Sequence, residues 1–80
     1  MMEHRIKTVQ PYFNDVKSGD KPFELRFNDR NYQVGDTLIL EEYDNEKGYT
    51  GQVIKRMVTY VLKDCPQYGL QDGYCILGMN

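Results

Sequence analysis

The fold is decided by residues 21–27, which read KPFELRF. In this stretch Phe23, Leu25 and Phe27 alternate with Glu24 and Arg26. Because successive side chains of a strand point to opposite faces, the pattern predicts a β-strand with one apolar face and one charged face. A half-buried strand ordinarily turns its charged face to solvent. On spacing alone, Glu24 and Arg26 are therefore expected on a wet outer surface.

Four more strands are predicted around this one. A first strand is expected at residues 4–9, a third at 37–43, a long fourth at 52–62 and a last at 74–77. Turn-forming residues separate them at close spacing. We therefore expect a mainly β (α+β) domain, built as a small closed or nearly closed β-barrel of about five strands rather than as a parallel sheet with crossover helices.

One short helix is predicted between the first two strands. Residues 10–19 place a proline near the start and a glycine, Gly19, at the end, which is typical of helix boundaries. Phe13 and Val16 lie at helical spacing within this segment. We expect both to face the core, with the helix covering one end or one cleft of the barrel.

Length and charge limit the possible functions. The chain has 80 residues, enough for one small domain over residues 1–80. Ten basic and twelve acidic side chains give a net charge of −2, so any contact with nucleic acid has to be local. The apolar runs are far shorter than the ~20 residues of a membrane span, and no signal-peptide stretch follows the first residues. We therefore expect no membrane partner and a cytoplasmic location.

The two cysteines carry no sign of a site. Cys65 and Cys75 are too few for a disulfide scaffold, and they lack the neighbours of a zinc site. We expect free thiols, with Cys75 in the core because it lies in an apolar run. The sequence predicts neither a metal nor a cofactor.

A motif connects the helix to the second strand. Residues 19–26 read GDKPFELR and contain the pattern G-x-K-x-x-E-x-R. Gly19 can turn the chain out of a helix, Lys21 precedes the strand, and Glu24 and Arg26 share one face of it. Three charges are therefore expected to cluster. The pattern resembles the signature of the ASCH domains, a branch of the PUA-like superfamily.

The resemblance implies both a fold and a ligand. It extends from His4 to Leu77 and implies a small PUA-like barrel with the motif in a cleft between barrel and helix, and RNA or a nucleotide as the ligand. In such a cleft Lys21 and Arg26 could hold a phosphate, Arg26 through its bidentate fork. Glu24 could orient Arg26 or accept a hydrogen bond from a base. With the resemblance, a functional cleft is the preferred interpretation of this charged face.

Two further residues are candidates for the same site. His4, the only histidine, starts the first strand and could serve as a ligand donor or a general base, although an ordinary hydrogen-bonded histidine is the simpler interpretation. Tyr68 lies in a loop rich in Pro and Gly and could stack on a base. Most of the seven tyrosines are expected in the core or at its rim, because the chain has no Trp.

Two alternatives to a binding module stay open. ASCH-like amidohydrolases act on acylated cytidine with a motif Lys, a Thr three residues later and a late Glu. Lys21 matches this pattern, but Glu24 occupies the Thr position, and the late region offers only Asp64 and Asp72. A Lys21–Glu24 pair could still perform acid–base chemistry on RNA or a modified nucleoside. The other alternative is a protein-interaction domain that uses a strand edge or the tyrosine-rich surface.

Overall fold

The computed structural model describes all residues from Met1 to Asn80 and has five strands and one α-helix. In chain order these elements are β1 Glu3–Thr8, α1 Tyr12–Ser18, β2 Phe23–Phe27, β3 Thr37–Asp44, β4 Gly48–Lys63 and β5 Tyr74–Met79. A single 3-10 turn at Pro66–Tyr68 interrupts the loop between the last two strands. The predicted class, a mainly β domain with one short helix after the first strand, is confirmed. No helix of the structure is long and apolar enough to cross a membrane.

The five strands form one mixed sheet in the order β1-β3-β4-β5-β2. β1 and β3 run parallel, whereas the other three pairs are antiparallel. A parallel pair was not expected from the sequence. Parallel neighbours need a long crossover, and here α1 and β2 together provide it.

The sheet does not close into the expected barrel, because β1 and β2 are its two edges and do not pair. Two arginine side chains bridge the seam between these edges instead. The Arg26 guanidinium donates a hydrogen bond to the carbonyl oxygen of Lys7, and Arg30 Nη1 donates one of 2.5 Å to the carbonyl oxygen of Arg5. Both carbonyls lie on the free edge of β1. The seam is therefore held by side chains where a closed barrel would have a strand ladder.

The core fills the concave side of the sheet beneath α1. It consists of Ile6, Phe13, Val16, Tyr32, Leu38, Leu40, Ile54, Val58, Cys75, Leu77 and Met79. The predicted burial of Phe13, Val16 and Cys75 is confirmed, and both cysteines are free. Each large apolar side chain contributes about 2 kcal/mol when it is fully buried. The core therefore fixes α1 against the sheet, which sets the position of the motif that follows it.

The helix ends as its sequence predicts. Gly19 adopts a left-handed conformation with φ of 89°, and its amide donates a 3.1 Å hydrogen bond to the carbonyl of Val16. Two residues later the Lys21 amide donates a 3.0 Å bond to the carbonyl of Asp15. These contacts turn the chain sharply, so that Lys21 lies beside the end of the helix, two residues before β2 begins.

Candidate functional site

In β2 the charged face is turned inward and the apolar face is exposed, which is the reverse of the expectation based on spacing. Glu24 is only 3% exposed and lies opposite the fully buried Leu77 of β5. Leu25 and Phe27 on the other face are each 55% exposed. The expectation that Glu24 and Arg26 lie on a wet outer surface is therefore wrong. The charged face of β2 points to the concave side of the sheet, and the apolar face points outward.

Lys21, Glu24 and Arg26 come together as a charged triad. Glu24 Oε1 lies 2.8 Å from Lys21 Nζ, and Glu24 Oε2 lies 3.1 Å from Arg26 Nε. The carboxylate is nearly inaccessible, whereas the side chains of Lys21 and Arg26 are 18% and 27% exposed. A buried carboxylate is tolerated when both of its oxygens are paired, as here. Glu24 therefore holds Lys21 and Arg26 in place while both cations remain partly accessible to solvent.

The triad lies in a cleft of about 1050 Å³ at the edge of the sheet. One wall is α1, a second is the end of β1, and the third is the free edge of β2. Aromatic side chains of Tyr12, Phe23, Phe27 and Tyr74 line its rim. Lys21 Nζ lies 5.5 Å from the ring centre of Tyr12 and 5.2 Å from that of Phe23. The cleft therefore combines aromatic surface with two accessible cations.

The charges that line the cleft balance. The cationic residues are Lys7, Lys21 and Arg26, and the acidic residues are Asp15, Asp20 and Glu24. A cleft that binds a run of phosphates would carry a clear positive excess. This lining instead suits a ligand with an aromatic ring and a single anionic group.

The backbone of β2 adds hydrogen-bonding groups to the cleft. The Pro22 carbonyl accepts a bond from Met79, and the Asn28 amide donates one to Gly73. Because the bonds of an antiparallel pair alternate, Glu24 and Arg26 direct their backbone groups toward β5, and Leu25 directs its N–H and C=O to the free edge. The Leu25 N–H and C=O thus point toward the cleft. The backbone groups of Phe23 and Phe27 face the same free edge, where their carbonyls already accept bonds from Lys21 Nζ and the Asp29 amide. Sequence reasoning missed these groups, because a side-chain pattern does not show which strand is an edge.

His4, a candidate for the site, does not line the cleft and instead makes the ordinary hydrogen bond of the simpler interpretation. Its Nε2 is 2.8 Å from Asp36 Oδ2, its ring packs edge-on against Tyr32 at 4.7 Å, and it is 6% exposed. Asp36 also accepts hydrogen bonds from the amides of Met2, at 2.9 Å, and Gln33, at 3.0 Å. These hydrogen bonds lower the pKa of Asp36 to about 2. The bond from the Met2 amide contributes most, and those from His4 and Gln33 contribute less. This buried cluster fixes the start of β1 to the turn before β3.

Tyr68 also lies outside the cleft. It is 84% exposed in the 3-10 turn and is not one of the cleft-lining residues. Tyr12 and Tyr74 are the tyrosines that reach the cleft. Tyr12 could have been found from the sequence, because it precedes the core-facing Phe13 in the helix and must point away from the core.

Comparison with known proteins adds the family. The sequence model described as "Domain of unknown function (DUF3850)" matches residues 3–79. The chain belongs to the DUF3850 family. A protein of Escherichia phage P2, described as "Uncharacterized 12.9 kDa protein in GpA 3'region", is 41% identical to this DUF3850 chain over 58 residues. The match covers 72% of the chain and 52% of the phage protein, so the chain spans about half the length of that curated relative.

Proposed function

We propose that this DUF3850 domain is an ASCH-like, PUA-like binding module that holds RNA or a nucleotide in the cleft beside β2, in the cytoplasm. One observation carries the proposal: the two cations of the motif, Lys21 and Arg26, converge on the buried carboxylate of Glu24 in an aromatic-rimmed cleft. The resemblance of the motif to the ASCH signature supplies the ligand class.

The unused hydrogen-bond donors of the triad suit one phosphate. Lys21 Nζ has three hydrogens and donates two of them, one to the Phe23 carbonyl and one to the Glu24 carboxylate. Arg26 donates its Nε–H to Glu24 and one Nη2 hydrogen to the Lys7 carbonyl, which leaves the Nη1 amino group and the second Nη2 hydrogen. One lysine hydrogen and one guanidinium amino group can hold a single anionic group by charge-assisted bonds.

The rest of the cleft suits a base. Lys21 Nζ lies over one face of the Tyr12 ring and one face of the Phe23 ring, and at 51% and 43% exposure both side chains leave further ring surface for stacking. The outward backbone N–H and C=O of Leu25 form the kind of donor and acceptor pair that reads the edge of a base. Together with the triad, these groups match the parts of one nucleotide, either free or within a single-stranded RNA.

Binding of a short single-stranded RNA and of a nucleoside monophosphate tests the proposal. Lys21→Ala and Arg26→Ala remove the accessible cations and are expected to weaken binding at least about tenfold, as loss of a charge-assisted bond does. Lys47→Ala is the matched control, because Lys47 is exposed in the β3–β4 turn, outside the cleft. Equal affinity of all four proteins, measured by calorimetry, would reject the site.

A hydrolase is the second candidate, favoured by the 2.8 Å contact between Lys21 Nζ and Glu24 Oε1 inside the cleft. Two groups at this distance can exchange a proton with a substrate held against them. Incubation with acylated nucleosides and short RNAs distinguishes the candidates. A product that disappears with Lys21→Ala supports the enzyme, and binding without product supports the module.

A further inference from the structure

The outer side of the sheet carries an apolar face on three strands. Cross-strand neighbours define two complete rows, Tyr60–Gly78–Phe23 and Leu62–Ile76–Leu25, and a shorter third row, Tyr74–Phe27. We call these eight residues the apolar face. Tyr60 is 63% exposed, and Leu25 and Phe27 are each 55% exposed. No segment of the chain covers them.

The outer side of the other half of the sheet, formed by β1, β3 and β4, has a different composition from the apolar face. Its outer rows are Glu3–Thr37–Met57, Arg5–Ile39–Lys55 and Lys7–Glu41–Val53. Each of these rows contains at least one charged side chain, whereas the apolar face contains no Asp, Glu, Lys or Arg. A sheet with one side in solvent normally carries apolar residues on its buried side and polar residues on its exposed side. The apolar face therefore has the composition of a covered surface.

We propose that a second copy of this chain covers the apolar face, with two sheets packed face to face about a twofold axis. The exposed side chains of the face amount to on the order of 500 Å², since large aromatic residues offer about 150–250 Å² each. A stable interface buries about 800 Å² on each partner, with an apolar core depleted in charge and a polar rim. The apolar face matches the core of such an interface in size and composition.

The composition of the face bears on its occupant. Gly78, between Phe23 and Tyr60, leaves no gap in its row, because a Cβ there would lie 3.2 Å from Thr59 Oγ1 and 3.4 Å from Tyr60 Cβ. A twofold axis brings the same patch of each copy together, so an apolar patch meets an apolar patch. Tyr60 is the most exposed ring of the face. The absence of charge also favours a second copy over RNA, which needs basic side chains on the surface it contacts.

The apolar face and the cleft share four residues. Phe23, Leu25, Phe27 and Tyr74 belong to the apolar face and also line the cleft. In the dimer, the second copy would lie against this shared rim and narrow the approach to the triad. Tyr60 and Leu62 belong to the apolar face alone, so they allow the interface to be changed without changing the cleft.

Sedimentation velocity between about 10 μM and about 1 mM tests self-association. We expect the wild-type chain to reach about twice its mass of 9.4 kDa within this range. Leu62→Lys and Tyr60→Glu should each weaken the dimer at least about tenfold, because each places a charge in the core of the interface. Val53→Lys is the matched control: Val53 lies on the same strand and is 49% exposed, but in a charged row.

The outcomes separate clearly. A dimer that is weakened by Leu62→Lys and Tyr60→Glu but retained in Val53→Lys supports the proposal. A wild-type chain that stays monomeric at about 1 mM overturns it, as does a dimer that only Val53→Lys disrupts. Thermal unfolding followed by circular dichroism checks that each variant folds. Ligand affinity of Leu62→Lys, measured separately, keeps failure of the dimer distinct from failure of the cleft.

Discussion

Glu24 is the residue on which the geometry of the cleft depends. Its carboxylate is nearly inaccessible, and its two oxygens hold Lys21 at 2.8 Å and Arg26 at 3.1 Å. Arg26 in turn reaches the carbonyl of Lys7 across the seam. A change at Glu24 therefore affects the triad and the link between the two edge strands together.

Replacing Glu24 with Gln should lower the free energy of unfolding by about 2 kcal/mol, because the change leaves Lys21 and Arg26 close together without the buried anion. This figure lies below the usual cost for a buried pair, because both cations are partly exposed to solvent. Urea unfolding at neutral pH measures the loss. Glu46→Gln, at the exposed turn between β3 and β4, is the control and should change stability by less than about 0.5 kcal/mol. Equal effects of the two changes would mean that the triad does not stabilise the fold.

Asp36 makes stability depend on pH in the acid range. Its pKa is lowered from 3.8 to about 2 in the folded chain. A carboxyl with a lowered folded pKa contributes stability in full above its unfolded pKa and loses it as the pH falls toward its folded pKa. The contribution of Asp36 should therefore be complete above about pH 4 and disappear between about pH 4 and pH 2. Asp36→Asn, followed by thermal unfolding, should be less stable at pH 7 and lose less stability over this interval. A parallel loss in the two proteins would contradict the assignment.

At the scale of single elements, the turn before β5 is the most constrained. Gly73 has φ of +85°, and an added Cβ would lie 2.8 Å from Cε1 of the Phe27 ring. Gly19, at the end of α1, has φ of +89° but nothing within 4 Å of an added Cβ. The two glycines thus share the same backbone penalty, and only Gly73 has the additional contact.

Alanine at each glycine separates these two effects. Gly19→Ala should lose about 1 kcal/mol for the left-handed backbone. Gly73→Ala should lose about 1 kcal/mol more, because the Phe27 ring must move away from its edge-on contact with Tyr74 at 5.5 Å. Phe27→Leu in the Gly73→Ala background should recover part of the difference. Equal losses in denaturant unfolding for the two single variants would show that Phe27 does not constrain the turn.

The elements show how far the sequence could predict the fold. Alternation located β2, and the capping glycine located the end of α1 to within one residue, because both depend on local chemistry. Which face of β2 is buried depends on residues outside the alternating pattern. Glu24 can be buried because Lys21 and Arg26 pair with its carboxylate. Leu25 is exposed because it lies on the opposite face of the strand, in the apolar face that continues onto β5. The parallel pairing of β1 with β3 and the open seam are long-range properties that no local pattern carries.

The candidate site was predicted in part for the same reason. Lys21, Glu24 and Arg26 were placed together because a turn and a strand face fix their relative positions over six residues. His4 was a candidate from its residue type and its place at the start of the first strand, and Tyr68 from its ring and its loop, but neither property fixes a distance to the motif, and neither residue lines the cleft. The outward backbone groups of Leu25 could not be predicted without knowing that β2 is an edge.

For the whole molecule, the balanced charge of the cleft predicts a weak dependence of RNA binding on salt. The net charge of the chain is −2. Lys7 lines the cleft but holds its Nζ 4.5 Å from the ring centre of Tyr43, outside the cleft, so Lys21 and Arg26 are the cations that face an anion there. Each phosphate neutralised on a single strand contributes about −0.7 to the slope of log K against log salt. We expect a slope no steeper than about −1.5, measured by fluorescence anisotropy with a labelled single-stranded RNA. A slope of about −4 or steeper would indicate an extended phosphate track.

Amide chemical-shift mapping during titration with a nucleoside monophosphate shows whether the cleft beside β2 is the ligand site, as proposed. We expect shifts concentrated at residues 8–12 and 21–27, which surround the cleft, and none at Asp36 or Tyr68. Shifts centred on Tyr68 or on Tyr60 and Leu62 would contradict this placement of the site, as would an unchanged spectrum at a ligand concentration of about 10 mM.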